Sequence, residues 1–386
     1  MKILHTSDWH VGRQLRGRSR ADEHVAVLAE IAQVARDEAV DAVLVVGDLF
    51  DTAAPTPEAE RIVYTALLEL AATGATVVVL SGNHDSDRRL QAIEPLLALG
   101  DVVTRPVFRR PDDGGMVELT SRDGTEQAKL AVLPFLSQRF VVSAADLMGF
   151  DADEHGQAYD QRVRQLVGAL TAGFGPDTIN LVAAHLTVGG GVLGGGERAA
   201  HTVFEYEVGA LAFPASAQYV ALGHLHRRQQ VAGPGQLHYC GSPLQLDFGE
   251  TSDIKCVVVV DVHPGLPAEV RDVCLRSGRR LRMLKGTVDD LQALAGTTGD
   301  DWLKLVVRDT TRVGLADDLR ELFPHAVDVV IERPEVGGPV PDRPSIAGRS
   351  PADLFGDFLR ERGEPDEQVL DLFAELLDEM ESAGVD

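Results

Sequence analysis

The residues that could do chemistry lie in five short stretches. "SDWH" carries Asp8 and His10, "GDLFD" carries Asp48 and Asp51, and "SGNHD" carries Asn83, His84 and Asp85. "VAAH" ends in His185, and "GHLH" carries His224 and His226. Carboxylate and amide oxygens and imidazole nitrogens are hard-to-borderline donors. With no thiolate among them, the set suits Mn, Fe, Mg or Zn rather than a soft metal. Asp8, His10, Asp48, Asn83, His185, His224 and His226 suffice for two ions if Asp48 bridges them, with four protein ligands each and positions left for water and substrate oxygens. Two divalent ions outweigh two aspartates in charge. The residual positive charge is what a phosphoryl oxygen, an attacking hydroxide and a leaving alkoxide require. Singly these residues say little: DxH and GD dipeptides arise by chance, and a lone His at a strand end is more often packed or solvated. The pair in "GHLH" is distinctive because residues i and i+2 of an extended chain point to the same side.

What gives the five stretches weight is where they fall. Each follows a short run rich in Val, Ile, Leu and Ala: "KILHTS", "AVLVV" (42–46), "TVVVLS" (76–81), "INLVAAH" (179–185) and "YVALGH" (219–224), with "LAVLPF" (130–135) and "CVVVVDV" (256–262) of the same kind. Such runs predict strands buried on both faces. Between the early ones, residues 21–39 place Val27, Leu28, Ile31, Val34 and Ala35 at helical spacing. Residues 56–74 read as a helix with Thr56 as N-cap, Pro57 in the first turn and Gly74 at its end. Alternating strand and helix implies βαβ units, and in open α/β sheets ligands bind outside the carboxyl ends of the strands. Five strands delivering Asp, Asn and His to that edge converge on one place.

The bulk numbers restrict partners. The chain has 386 residues, 60 acidic against 36 basic, for a formal charge of −24. A protein that holds nucleic acid by its own electrostatics is usually basic, so this chain's charge argues against that mode, and bound metal can supply part of the attraction for phosphate. No apolar run approaches a membrane span, and residues 1–10 do not read as a signal peptide, so a cytoplasmic protein without membrane contact is expected. Cys240, Cys256 and Cys274 form no paired motif, and reduced thiols are expected. From about residue 276 a smaller unit alternates strand and helix to about 335. Residues 336–350 read as a Pro- and Gly-rich linker, and 351–386 as two amphipathic helices with 12 acidic residues against Arg360 and Arg362. Helices that small cannot bury much alone, so they read either as a docking element or as folding back on their own domain. Arg13, Arg16, Arg18 and Arg20 follow the first ligand pair, as phosphate contacts or as a solvated loop. Gly-rich "GGGVLGGGER" (189–198) lacks a phosphate-loop pattern and is expected beside the site. Helix 56–74 carries apolar residues on more than one face and 90–100 is similarly rich, more than the one stripe a surface helix needs.

The series "DWH", "GDLFD", "GNHD", His185 and "GHLH" resembles the calcineurin-like metallophosphoesterase signature. "ILHTSDWHVGRQL", "VVLSGNHDS" and "YCGSPLQLDFGE" are similar to the SbcD family, the nuclease subunit of the bacterial SbcCD complex, and the likeness runs over the whole chain. The resemblance implies a two-sheet α/β sandwich over 1–275, a small α+β cap domain over 276–335, a homodimer contact through helices 56–74 and 90–100, with which their excess apolar surface agrees, and a C-terminal helical segment, 351–386, that docks on the SMC-like ATPase SbcC. It implies two ions, Mn2+ by preference with Mg2+ or Fe2+ as alternatives. Asp8, His10, Asp48 and His226 would hold one, and Asp48, Asn83, His185 and His224 the other. It makes His84 the non-ligand that contacts phosphate and protonates the leaving 3′-oxygen. Asp51 would then accept a hydrogen bond from His84 and keep that acid protonated. The implied function is a DNA exonuclease and hairpin endonuclease in repair, recombination and replication. The alternative is a metallophosphoesterase acting on a small nucleotide or phosphomonoester.

Overall fold

The computed structural model describes residues 1–137, 159–195, 197, 207–309 and 314–332, and residues 355, 356, 359, 368–370, 372 and 373 of the C-terminal segment. Met1–Arg333 and Pro334–Asp386 form separate units.

In the first unit the apolar runs become strands because both their faces are covered. β1 (Lys2–Thr6), β2 (Ala42–Val46), β3 (Thr76–Leu80) and β4 (Val102–Arg105) lie side by side and parallel. β13 (Cys256–Asp261) pairs antiparallel with β1, and β14 (Glu269–Cys274) closes that edge. The second sheet runs β11 (Gln229–Val231), β12 (Gln236–Tyr239), β10 (Tyr219–Gly223), β7 (Ile179–His185), β6 (Gln127–Leu133) and β5 (Met116–Thr120). Two short strands, β8 (Thr187–Val188) and β9 (Glu207–Val208), pair parallel just beyond β7. The two large sheets meet face to face through Ile3, Leu44, Val46, Val78 and Leu80 on one side and Leu130, Val132, Leu181, Ala183 and Ala221 on the other. Helices α1 (Ala21–Asp37) and α2 (Pro57–Ala71) cover the outer face of the first sheet, joined by Leu90 and Leu97 of α3 (Asp87–Ala98). α4 (Tyr159–Thr171) covers the second. Thr56 caps α2 as expected, its hydroxyl accepting from the Ala59 amide at 3.2 Å. β5 alternates buried and exposed residues, so it lacks the continuous apolar run that marks the central strands.

The smaller layer has β15 (Leu281–Gly286), β16 (Trp302–Arg308) and β17 (Ala326–Glu332) parallel, with α5 (Val288–Gln292) and α6 (Leu315–Leu322) as crossovers. It has its own core of Leu284, Leu291, Leu303, Leu305 and Phe323. It is tied to the sandwich through Leu281, whose amide donates to Gln245 Oε1 at 2.7 Å, and Trp302, whose indole donates to Glu23 at 2.8 Å. The expected linker at 336–350 lies outside the described residues, as does most of 351–386. In that second unit the Phe355 and Phe373 rings stack at 4.1 Å.

Candidate metal centre

β1, β2, β3, β7 and β10 all end at one edge, and the chain turns sharply there. Asp8, His10, Asp48 and His224 adopt positive φ angles of 52°, 47°, 51° and 104°. A non-glycine residue in that region costs about 1–3 kcal/mol, so surrounding contacts must impose it. They do: the Asp8 amide donates to the Gly47 carbonyl and the His10 amide to the Asp48 carbonyl, each at 3.0 Å. The Asp8 carboxylate accepts from the His224 amide at 2.9 Å, and the Asp48 carboxylate from the His84 amide at 2.8 Å. Two glycines of the motifs are required by close approach. A Cβ on Gly223 would sit 2.0 Å from the Val46 carbonyl oxygen, and one on Gly82 would sit 2.2 Å from the Asp48 carboxylate.

These turns gather the side chains into buried clusters whose donor atoms lie within 4.8 Å of one another: Asp8, His10 and His226 in one, Asp48, His185 and His224 in another. His10, Asp48 and His84 form a third, so His84 touches the same space as the ligands. Asp48 joins the groups, with Oδ2 at 3.5 Å from both His10 Nε2 and His185 Nε2. Asn83 Oδ1 lies 3.1 Å from His185 Nε2 and 2.8 Å from His224 Nδ1. His226 Nε2 and His10 Nε2 face each other at 3.1 Å. His185 Nδ1 donates to the Val46 carbonyl at 2.9 Å, so Nε2, facing Asp48 and Asn83, is the ring atom that can bind metal once it has lost its proton. Lone pairs and carboxylate oxygens converging on one buried space fit divalent cations, and the oxygen–nitrogen donor set is right for them.

Electrostatics agrees. Burial pushes the Asp48 carboxyl up, but His185, His10 and His84 outweigh it and hold the group well below its ordinary value. Burial raises Asp8. His185 would be lowered by burial, yet Asp48 and Asp8 lift it to about 9. Without metal His185 therefore holds a proton, and a cation would take its place.

All seven expected ligands thus come together, with two differences from the expectations. His224 and His226 do not share a side of an extended strand, because the chain turns at His224; they reach different clusters through Nδ1 and Nε2. His84 Nδ1 donates to the Asp51 backbone carbonyl at 2.7 Å, where a bond to the Asp51 carboxylate was expected. That carboxylate lies 3.2 Å from Arg13 Nη1 and 3.6 Å from His10 Nδ1. Loss of solvent would raise it, but His10 and Arg13 hold it down at about 2. Of the other arginines, Arg20 is buried against Glu23 and the Gln245 carbonyl and Arg16 pairs with Asp328. Three further residues, to which the sequence assigned no role, brace the centre. Asp85 accepts from the Leu49, Phe50 and Gly82 amides and so ties the second and third motifs together. Glu197 accepts from the His226 amide at 3.0 Å, and Glu250 faces His226 Nδ1 at 3.1 Å. Asp85 sits inside a motif and was visible there; the two glutamates carry no spacing signal.

A two-sheet sandwich with this cluster at its strand ends is the architecture of a calcineurin-like phosphoesterase, and the family model of that description matches residues 1–228. A second, described as type 5 capsule protein repressor C-terminal domain, matches 277–362. The SbcD subunit of the nuclease SbcCD from Bacillus subtilis (strain 168) is 33% identical over 97% of both chains. That of Rhodobacter capsulatus is 38% identical over 69% of this chain and 67% of its own, and that of Escherichia coli (strain K12) 34% over 76% and 73%. The chain belongs to the SbcD family of calcineurin-like phosphoesterases, and it is a metal-dependent phosphoesterase.

Proposed function

We propose that the protein is a DNA nuclease subunit, an exonuclease on duplex ends and an endonuclease on single strands and hairpins, working with an SMC-like ATPase of the SbcC type in repair, recombination and replication. The observation that carries this reading is the pair of buried donor clusters joined through Asp48. Asp8, His10, Asp48 and His226 hold one divalent ion and Asp48, Asn83, His185 and His224 the other, with Mn2+ the preferred occupant. When bound, the ions supply Lewis-acid charge for the phosphodiester and lower the pKa of water. They also supply the attraction for DNA that a chain of charge −24 lacks. His84 stands at the junction of the clusters, its ring edge-on to His10 at 4.6 Å. Because Nδ1 is committed to the Asp51 carbonyl, Nε2 is the atom that contacts phosphate and passes a proton to the leaving oxygen. Asp51 acts through His10 and Arg13, and its backbone alone serves His84.

Residues 351–386 dock on the ATPase. α2 and α3 meet a second copy of the chain: Leu68, Leu96 and Leu99 remain exposed there, while Ile62, Val63, Leu67 and Leu70 are used by the chain's own core. The test is cleavage of linear duplex and hairpin DNA by the purified protein with Mn2+, with and without a chelator. Hydrolysis confined to mononucleotides or phosphomonoesters would move the assignment to a small-molecule phosphoesterase.

A further inference from the structure

Glu250 lies outside every motif that marks the centre, yet it is fully buried against one of its ligands. Oε1 is 3.1 Å from His226 Nδ1. Oε2 accepts from Lys255 Nζ at 2.7 Å and from the Leu246 amide at 3.1 Å. Lys255 also donates to the His226 carbonyl at 2.9 Å and to Ser242 Oγ at 3.0 Å. Glu197 accepts from the His226 amide at 3.0 Å. His226 is therefore fixed at its amide, its carbonyl and its ring. The two halves of the centre differ in this respect: the ring of His185 is backed by the neutral Val46 carbonyl, that of His226 by a carboxylate.

We propose that Glu250, clamped by Lys255, is a positioning residue for one of the two ions: it holds the proton of His226 on Nδ1 and presents Nε2, as the more basic donor, to the ion shared with Asp8, His10 and Asp48. A carboxylate can only accept from Nδ1, so the tautomer with the lone pair on Nε2 is the one it selects. It also polarises the ring toward the metal, and losing such a partner typically costs about 10–100-fold in metal affinity. The effect is confined to one ion because Glu250 meets the centre through His226.

This inference rests on the two-metal reading above, and the experiment separates the two. Mn2+ is titrated into the metal-free full-length protein by calorimetry, with low-temperature electron paramagnetic resonance following the exchange-coupled pair. If the wild type binds fewer than two ions, the two-metal reading fails. If it binds two, Glu250→Gln should weaken one dissociation constant by about 10–100-fold and leave the other within about twofold, replacing the coupled-pair signal by that of an isolated ion at intermediate Mn2+. Because Glu250→Gln leaves Lys255 buried without its counter-charge, the double variant Glu250→Gln, Lys255→Met serves as a second test. It removes both charges together and should show the same selective loss with thermal stability restored toward wild type. Equal weakening of both ions, no change in either, or recovery of metal affinity in the double variant would each overturn the proposal.

Discussion

At the scale of single residues, the centre is a set of donors whose protons and metals compete. His185 is lifted to about 9 from an ordinary 6.5. Its protonated form stabilises the metal-free fold fully below pH 6.5, and that contribution is lost as pH rises through 9. A cation needs the lone pair this proton occupies, so Mn2+ affinity should rise roughly tenfold per pH unit between about 7 and 9 and then flatten. Calorimetry in two buffers of different ionisation enthalpy measures the released proton directly; a flat affinity over that range contradicts it. His84 is a different case, since we propose that its ring serves the substrate and no ion. His84→Gln should lower kcat by about 10²–10⁴-fold while the Mn2+ stoichiometry stays that of wild type. Loss of an ion in that variant would make His84 a ligand.

At the scale of elements, the side chains of the centre are placed by turns at strand ends, and those turns are tight because β2, β3 and β10 crowd one another there. Gly223 is the sharpest point: a methyl group would overlap the last carbonyl of β2 and come within 2.8 Å of His185 Nδ1. Gly223→Ala should cost about 3 kcal/mol by denaturant unfolding and weaken the ion held by His185 more than the one held by His10. A variant as stable as wild type would show that the strand end can shift freely. The same reasoning explains why Asp8, Asp48 and His224 tolerate left-handed backbone: the amide bonds that impose it are the ones that build the centre.

At the scale of the molecule, α2 and α3 keep apolar side chains exposed beyond those they bury in the core. Leu96 and Leu99 on and just after α3 are 68% and 84% exposed, and Leu68 on α2 is 46% exposed. If this surface joins two copies, Leu96→Glu with Leu99→Glu should convert a dimer to a monomer by light scattering at micromolar concentration. Exposed positions of this kind shift monomer stability by no more than about 0.5 kcal/mol, so a fold that collapses in the variant would count against the dimer. Deleting 351–386 should leave Mn2+-dependent cleavage by the nuclease intact and abolish its stimulation by the ATPase with ATP. Stimulation that survives the deletion would place the docking surface elsewhere.

The sequence determined which atoms could bind metal and which strands carry them, because buried strands need unbroken apolar runs and tight strand-end turns need glycine, and both leave local marks in the chain. The seven side chains that gather at the strand ends and the central strands were legible for that reason. Edge strand β5 was not, since it alternates, and neither were Glu250 and Lys255, which lie 24 and 29 positions beyond His226 and meet it only because the chain folds back. The tertiary structure alone decided that Asp51 serves His84 with its carbonyl and turns its carboxylate to Arg13 and His10. It also decided that α2 spends most of its apolar residues on its own core. Residue type limits what a side chain can donate or accept; the turn of the backbone selects which of its neighbours receives it.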